Sequence, residues 1–197
     1  MLLMKWLKIL AVSTLIVISC KALGDDQMIS SVVDVAAISP GDQIMIEVRY
    51  TSTNEDLTTG LGLNLHYDSS KLFQARISNL LDTDNIGSQF ADDLKNSDGS
   101  ASTDKIFKAN WANFAGNWPS GVQLPVSLFS ISFIASDRFT DTTINFSRSS
   151  GAAGYSFVSS SIAIELDPLY VAEDPVSGLN LTLIKAFLDK QKNSSID

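Results

Sequence analysis

The chain has 197 residues, 14 Lys and Arg against 22 Asp and Glu, a formal net charge of −8, and one cysteine. That acidic balance argues against nucleic acid and against anionic lipid headgroups as partners, and it is compatible with divalent cations and with neutral ligands such as glycans. A single cysteine excludes an internal disulfide, so the fold is held by packing, or by packing together with a metal.

The N-terminus carries Lys5 and Lys8 ahead of an apolar stretch, Ile9 to Ser19. That stretch is short of the ~20 residues that a bilayer span needs. A charged segment followed by a short apolar one is the pattern of a secretory signal peptide, residues 1–19. Val17-Ile18-Ser19-Cys20 then resembles the lipobox of bacterial lipoproteins. The resemblance implies that Cys20 is lipidated and becomes the first residue of the mature chain. It also implies an outer-membrane or cell-surface address, because Lys21 rather than Asp follows the cysteine. Cleavage after Ala22-Leu23-Gly24 fits the small-x-small pattern equally and would release a soluble periplasmic or secreted domain. Removing residues 1–19 takes Lys5 and Lys8 away and leaves 12 basic against 22 acidic residues, a formal charge of −10.

Residues 20–31 read as a linker. From Val33 onward short alternating segments follow one another. Val33, Val35 and Ala37 alternate ahead of the turn Ser39-Pro40-Gly41-Asp42. Ile44, Ile46, Val48 and Tyr50 alternate with Met45, Glu47 and Arg49, as a half-buried strand does. Leu61, Leu63, Leu65 and Tyr67 do the same with Gly62, Asn64 and His66, and Leu72–Ser78 is a further strand. Asn79–Asp104 is long, polar and rich in Asp, with one helical turn expected near Phe90–Leu94. Connections of this kind commonly carry function. Strands resume at Lys105–Asn113, Leu128–Ile134, Thr142–Ser147, Tyr155–Val158 and Ser161–Leu166. About nine strands without a core helix predict an all-β antiparallel sandwich over residues 32–170. In the tail, residues 171–197, Leu181, Ile184 and Leu188 have helical spacing and predict one short helix.

Gly41-Asp42, the run Gly60–Leu72 with Tyr67-Asp68-Ser69-Ser70-Lys71-Leu72, and Leu128–Phe133 resemble the cohesin-like modules of the carbohydrate-binding-domain superfamily of jelly-roll sandwiches. Ser102–Lys105 and Gly116–Pro119 are similar to stretches of cohesin-like repeats in surface proteins of aquatic bacteria. The resemblance covers about Val32–Leu166. It implies binding, either to a protein, as with the dockerin partners of cellulosomal members, or to glycans, as in carbohydrate-binding relatives. The chain shows a single module without a dockerin or catalytic segment, which argues against a cellulosomal scaffold role.

Three groups of residues are candidates for chemistry. His66 is the only histidine; by alternation it faces solvent or a neighbouring strand, and alone it is a poor metal site. The acidic loop Asp82-Thr83-Asp84-Asn85-Ile86-Gly87 with Asp93 partly matches a calcium loop, with Asp82, Asp84 and Asp93 as oxygen ligands. Ile86 breaks that pattern, and the alternative is a solvated acidic loop. Trp118 lies in a turn beside Asn113 and Asn117, an arrangement suited to stacking on a sugar ring and bonding its hydroxyls. The alternative is a turn that caps the end of the sandwich. The serines cluster in turns without a nucleophile signature, so catalysis is not expected. The reading is a non-catalytic binding module of the cell envelope that engages a protein partner or a polysaccharide, touches membrane through a lipid anchor only, and binds calcium if the acidic loop is a site.

Overall fold

The structure, a computed structural model, describes residues 25–81 and 86–170. The signal segment, Cys20, Asp82, Asp84 and the tail for which a helix is expected lie outside the described residues.

The described residues form eleven strands: β1 (Asp25–Val33), β2 (Ala37–Ile38), β3 (Gln43–Ser52), β4 (Gly60–Tyr67), β5 (Leu72–Ser78), β6 (Ile86–Asp92), β7 (Lys105–Ala112), β8 (Val126–Ala135), β9 (Thr142–Gly151), β10 (Tyr155–Ser159) and β11 (Ile162–Leu166). A single 3-10 turn, Thr53–Glu55, is the only helical element among them. One sheet has the order β10-β1-β3-β8-β5, the other β2-β11-β9-β4-β7-β6. The expected sandwich is present, with two differences. The sheets are mixed, since β1 pairs with β10 and β2 with β11 in parallel. In addition, the stretch expected as a linker supplies β1, and the loop expected to turn helically near Phe90 supplies β6, which pairs with β7 in antiparallel register.

The core lies between the sheets. Ile44, Ile46, Val48 and Tyr50 of β3 and Phe129, Ile131 and Phe133 of β8 face Leu61, Leu63 and Leu65 of β4 and Phe107, Ala109 and Trp111 of β7. Period-two alternation places each set on one face of its strand, and burying them supplies most of the drive to fold. Gln27 is a fully buried polar residue in this interior. Its amide nitrogen donates to the Gly60 carbonyl at 2.9 Å and reaches Tyr50 Oη and Thr58 Oγ1, both at 3.3 Å. Its amide oxygen accepts from the Ala152 N–H at 3.2 Å. One buried side chain thus ties β1, β3, the start of β4 and the β9–β10 turn together, with the polar groups that a buried amide requires.

The most specific phrase in the sequence, Tyr67–Leu72, is a corner. Asp68 Oδ1 accepts from Ser70 N at 2.9 Å and from Ser70 Oγ at 2.6 Å. Ser69 donates through both its N–H (2.7 Å) and its hydroxyl (2.6 Å) to the Asp104 carboxylate. These bonds fix how the chain leaves β4 and where the β6–β7 connection ends, and that connection carries the site described next.

Candidate functional site

Strand β4 is buried on both faces. Leu61, Leu63, Leu65 and Tyr67 face the core, so Gly62, Asn64 and His66 face outward, yet they too are covered. Side chains of Ser149, Ser150 and Asn110 crowd Gly62, and the cover over His66 is the β6–β7 connection, residues 93–104. Asp93 N donates to the Asp104 carbonyl at 2.9 Å and closes the connection at its base. Asn96 and Gly99 take left-handed backbone at φ 44° and 75°, which turns the chain back over the sheet.

Beneath this loop His66 is 0% exposed. Its Nδ1 lies 2.7 Å from Asp93 Oδ2, and its Nε2 lies 2.7 Å from Ser147 Oγ on the neighbouring strand β9. Asn64 Nδ2 donates to the same hydroxyl at 3.1 Å. Asp98 completes the group: Asn145 Nδ2 and Thr103 Oγ1 both donate to its Oδ2 at 2.8 Å, and Ser100 N donates to Oδ1 at 3.0 Å. Burial works to raise the Asp98 carboxyl, but the bonds from Asn145, Ser100 and Thr103 and the nearby His66 outweigh it and hold its pKa below the ordinary carboxylate value. Ligand atoms of His66, Asp93 and Asp98 all lie within 4.8 Å of one another.

Ser147, His66 and Asp93 follow the atom order of a nucleophile, base and orienting carboxylate. Burial speaks against that use. An imidazole sealed from solvent cannot hand a proton to a leaving group, and Ser147 Oγ is already held by Asn64. What the arrangement does chemically is pin a twelve-residue loop, residues 93–104, onto the sheet. Beside it runs a polar cleft of about 560 Å³, lined in part by Asn64, Asp93, Lys95, Lys108 and Arg148.

The sequence-derived candidates fare differently. His66 faces neither solvent nor a strand alone; it is enclosed by a loop. Asp93, expected in an open calcium loop, points instead to His66 and is 7% exposed. Trp118, expected at the surface, is 1% exposed. The backbone of Trp118 pairs with Thr58, through bonds of 2.7 and 2.9 Å, and this draws the turn onto the end of the sandwich. The ring then packs against Tyr50 at 4.7 Å and Trp111 at 5.7 Å between centroids. A ring in that position cannot stack on a sugar. Asn117 is exposed, while Asn113 is half-buried, with its side chain capping the N–H of Ala115 at 2.9 Å. Phe114, not Trp118, is the exposed aromatic of this turn.

The opposite outer face, that of the five-stranded sheet, is built differently. Val32 of β1, Met45 of β3, Ile134 of β8 and Phe73 of β5 point away from the core, and Val32, Met45 and Phe73 are exposed. The register places Ile134 opposite both Gln43 and Phe73, and Met45 opposite Ser132. Val32 lies opposite Glu47, so the four apolar side chains run as an oblique stripe across four adjacent strands, diagonal neighbours apart from the directly paired Ile134 and Phe73, and interleaved with Glu47, Gln43 and Ser132. Serines and the Glu47–Arg49 pair, joined at 2.7 Å, border it.

No family model and no curated protein matches the sequence. Among solved structures, the chain is similar to a type II cohesin domain from the cellulosome of Acetivibrio cellulolyticus, at 15% identity and TM-score 0.47, over 73% of this chain and 96% of that one. It is similar to the second type II cohesin module of the ScaA scaffoldin of Acetivibrio cellulolyticus, at 14% identity and TM-score 0.48, over 78% and 98%. It is also similar to a structure of a type I cohesin–dockerin complex from Clostridium thermocellum, at 13% identity and TM-score 0.45, over 71% and 99%. At these identities and scores the likeness says nothing of what this chain binds. The chain is a two-sheet, nearly all-β sandwich.

Proposed function

We propose that the chain is a non-catalytic protein-binding module of the bacterial cell envelope, and that it docks its partner on the outer face of the five-stranded sheet. The observation that supports this is the stripe of Val32, Met45, Ile134 and Phe73. Scattered exposed apolar residues are ordinary, but an oblique row across four strands, bordered by polar and charged groups, has the composition of an interface centre with a polar rim. On the other sheet the 93–104 loop covers the part around His66, and the outward positions described beside it are mainly polar.

Export rests on Lys5, Lys8 and the apolar stretch to Ser19, and tethering rests on Cys20. No helix among the described residues is long and apolar enough to cross a membrane. Because β1 starts at Asp25, a lipid on Cys20 leaves only a short spacer before the sandwich. Residues 20–24 span at most about 17 Å when fully extended. A tethered sandwich is therefore held against its own membrane, and its partner belongs to the same surface.

The test is affinity capture from the native envelope with wild type and with the double variant Met45→Glu, Phe73→Glu. A partner enriched by wild type and lost from the variant, with unchanged melting of the variant, supports docking on this face. A partner retained by the variant refutes it. Mass spectrometry of the mature N-terminus tests the tether: a lipidated Cys20 is expected, and a chain that begins at Asp25 would exclude it.

A further inference from the structure

The loop over β4 brings two carboxylates, the buried Asp93 and the half-buried Asp98, to one buried imidazole. Their other partners are neutral: Ser97 N for Asp93, and Asn145, Thr103 and Ser100 N for Asp98. Among the described residues, the ion pairs within 4 Å are Arg49–Glu47, His66–Asp93 and Lys105–Asp92, so neither Asp93 nor Asp98 has a Lys or Arg partner at that range. Even with His66 protonated, two carboxylates leave a net negative charge in a largely buried group, and an uncompensated buried charge is costly. A divalent cation on a neutral His66 brings the sum to zero. A second observation, independent of the cluster, points the same way. Asn64 is 6% exposed, its Oδ1 is buried without a partner, and the residue lines the same cleft as Asp93. An orphaned buried carbonyl is what a cation, or the water it carries, satisfies.

We propose that His66 Nδ1, Asp93 and Asp98 form a three-ligand site, completed by water, for one divalent metal ion of the zinc class. In this tautomer Nε2–H donates to Ser147 Oγ, and Nδ1 presents its lone pair to the ion. Ser147 and Asn64 then orient the imidazole, and Asn145 and Thr103 orient the Asp98 carboxylate, as outer partners do at metal sites. One nitrogen and two oxygens suit zinc, cobalt or manganese better than calcium, which takes six to eight oxygens. Metal–ligand bonds of about 2.1 Å at tetrahedral angles separate ligand atoms by about 3.4 Å. The Nδ1–Oδ2 distance of 2.7 Å must therefore open by about 0.7 Å, within reach of side-chain rotation on a loop. With both aspartates on the 93–104 connection and His66 on β4, the ion would clasp the loop to the sheet. In a chain without an internal disulfide, it would serve as the cross-link. This site lies on the sheet opposite the proposed docking face and stands independently of it.

The test is titration of the full chain, stripped with EDTA and dialysed, with zinc chloride by calorimetry and by thermal melting. One ion binds per chain, and zinc at a hundredfold excess over its dissociation constant raises the melting temperature by about 5–10 °C. Millimolar calcium chloride produces neither effect. Asp98→Asn still accepts from Thr103, so its metal-free melting stays within a few degrees of wild type while its zinc affinity falls at least tenfold. His66→Gln loses binding altogether. Cobalt chloride gives a second readout, a visible absorption band of low-coordinate cobalt that is absent in Asp98→Asn. Absence of saturable zinc binding, or wild-type affinity in Asp98→Asn, overturns the proposal.

Discussion

Trp111 and Trp118 are neighbours in the same end of the core, both buried, and they differ in one atom's surroundings. Trp111 Nε1 donates to the Leu81 carbonyl at 2.9 Å, whereas Trp118 Nε1 is buried without a partner. Replacing each with Phe separates ring volume from hydrogen bonding. Trp→Phe removes part of a ring and leaves a small void, which costs about 1–2 kcal/mol at either site. At position 111 the change also strands a carbonyl and loses a bond, adding about 1 kcal/mol, kept low because Leu81 is half-buried. At position 118 it instead removes an unsatisfied donor, a relief of about 1–2 kcal/mol that offsets the void. Trp118→Phe is therefore expected to be close to neutral, and Trp111→Phe to be less stable by about 2 kcal/mol. For a domain of this size that is roughly 4–8 °C in melting temperature. Alanine at either position costs about 3–5 kcal/mol, a large share of the stability of a typical domain. Urea unfolding with a shared slope, followed by circular dichroism, measures all four variants. Equal losses for the two Phe variants, or a larger loss at 118, would refute the reasoning. Unchanged stability in Trp118→Ala would return that ring to the surface.

Other variants test other parts of the fold. Gln27→Leu keeps the volume but strands the Gly60 carbonyl and the Ala152 N–H, and is expected to cost about 2–4 kcal/mol in the same unfolding assay. Gly60 has φ +125°, and a Cβ there would sit 2.1 Å from the Trp111 carbonyl oxygen, so Gly60→Ala should cost about 3 kcal/mol or more, or prevent folding. Burial tends to raise the Asp104 carboxyl, and the two bonds from Ser69, with Lys105 beside it, outweigh burial and lower its pKa in the folded state. A depressed folded pKa contributes stability that is complete above the unfolded value and is lost as pH falls through the folded one. Melting temperature should thus drop as pH goes below about 4, and less steeply in Asp104→Asn than in wild type. An identical pH profile for both would remove Asp104 from that account.

The strands that were legible from sequence are those with an apolar inward face. In β3 and β4 every second residue is aliphatic or aromatic, and the structure puts those residues in the core. Strand β1 escaped the pattern because Gln27 and Ser31 occupy inward positions, and only the network around Gln27 makes that arrangement tolerable. Strand β6 escaped because it lies at a sheet edge and contributes one ring, Phe90, stacked on Phe107 at 5.0 Å. The site was harder to read. Alternation puts His66 on the outward face of β4, as in the structure, but nothing in its local sequence tells that residues 93–104 fold back over it. The partner carboxylates lie 27 and 32 positions away, and Ser147 lies 81 away, so tertiary structure alone joins them. The Trp118 turn departs from the expected surface position for a similar reason. Its exposure depends on the bridge to Thr58, sixty residues earlier, and not on the Trp-Pro turn itself.

The central claim is that the outer face of the five-stranded sheet binds a protein in the envelope. A photoreactive residue placed at Met45, and separately at Lys108 on the opposite sheet, followed by irradiation of intact cells and mass spectrometry of the adducts, tests it most directly. The account predicts one discrete protein adduct from position 45 and none from position 108. No adduct at 45, or the same adduct only from 108, would contradict it.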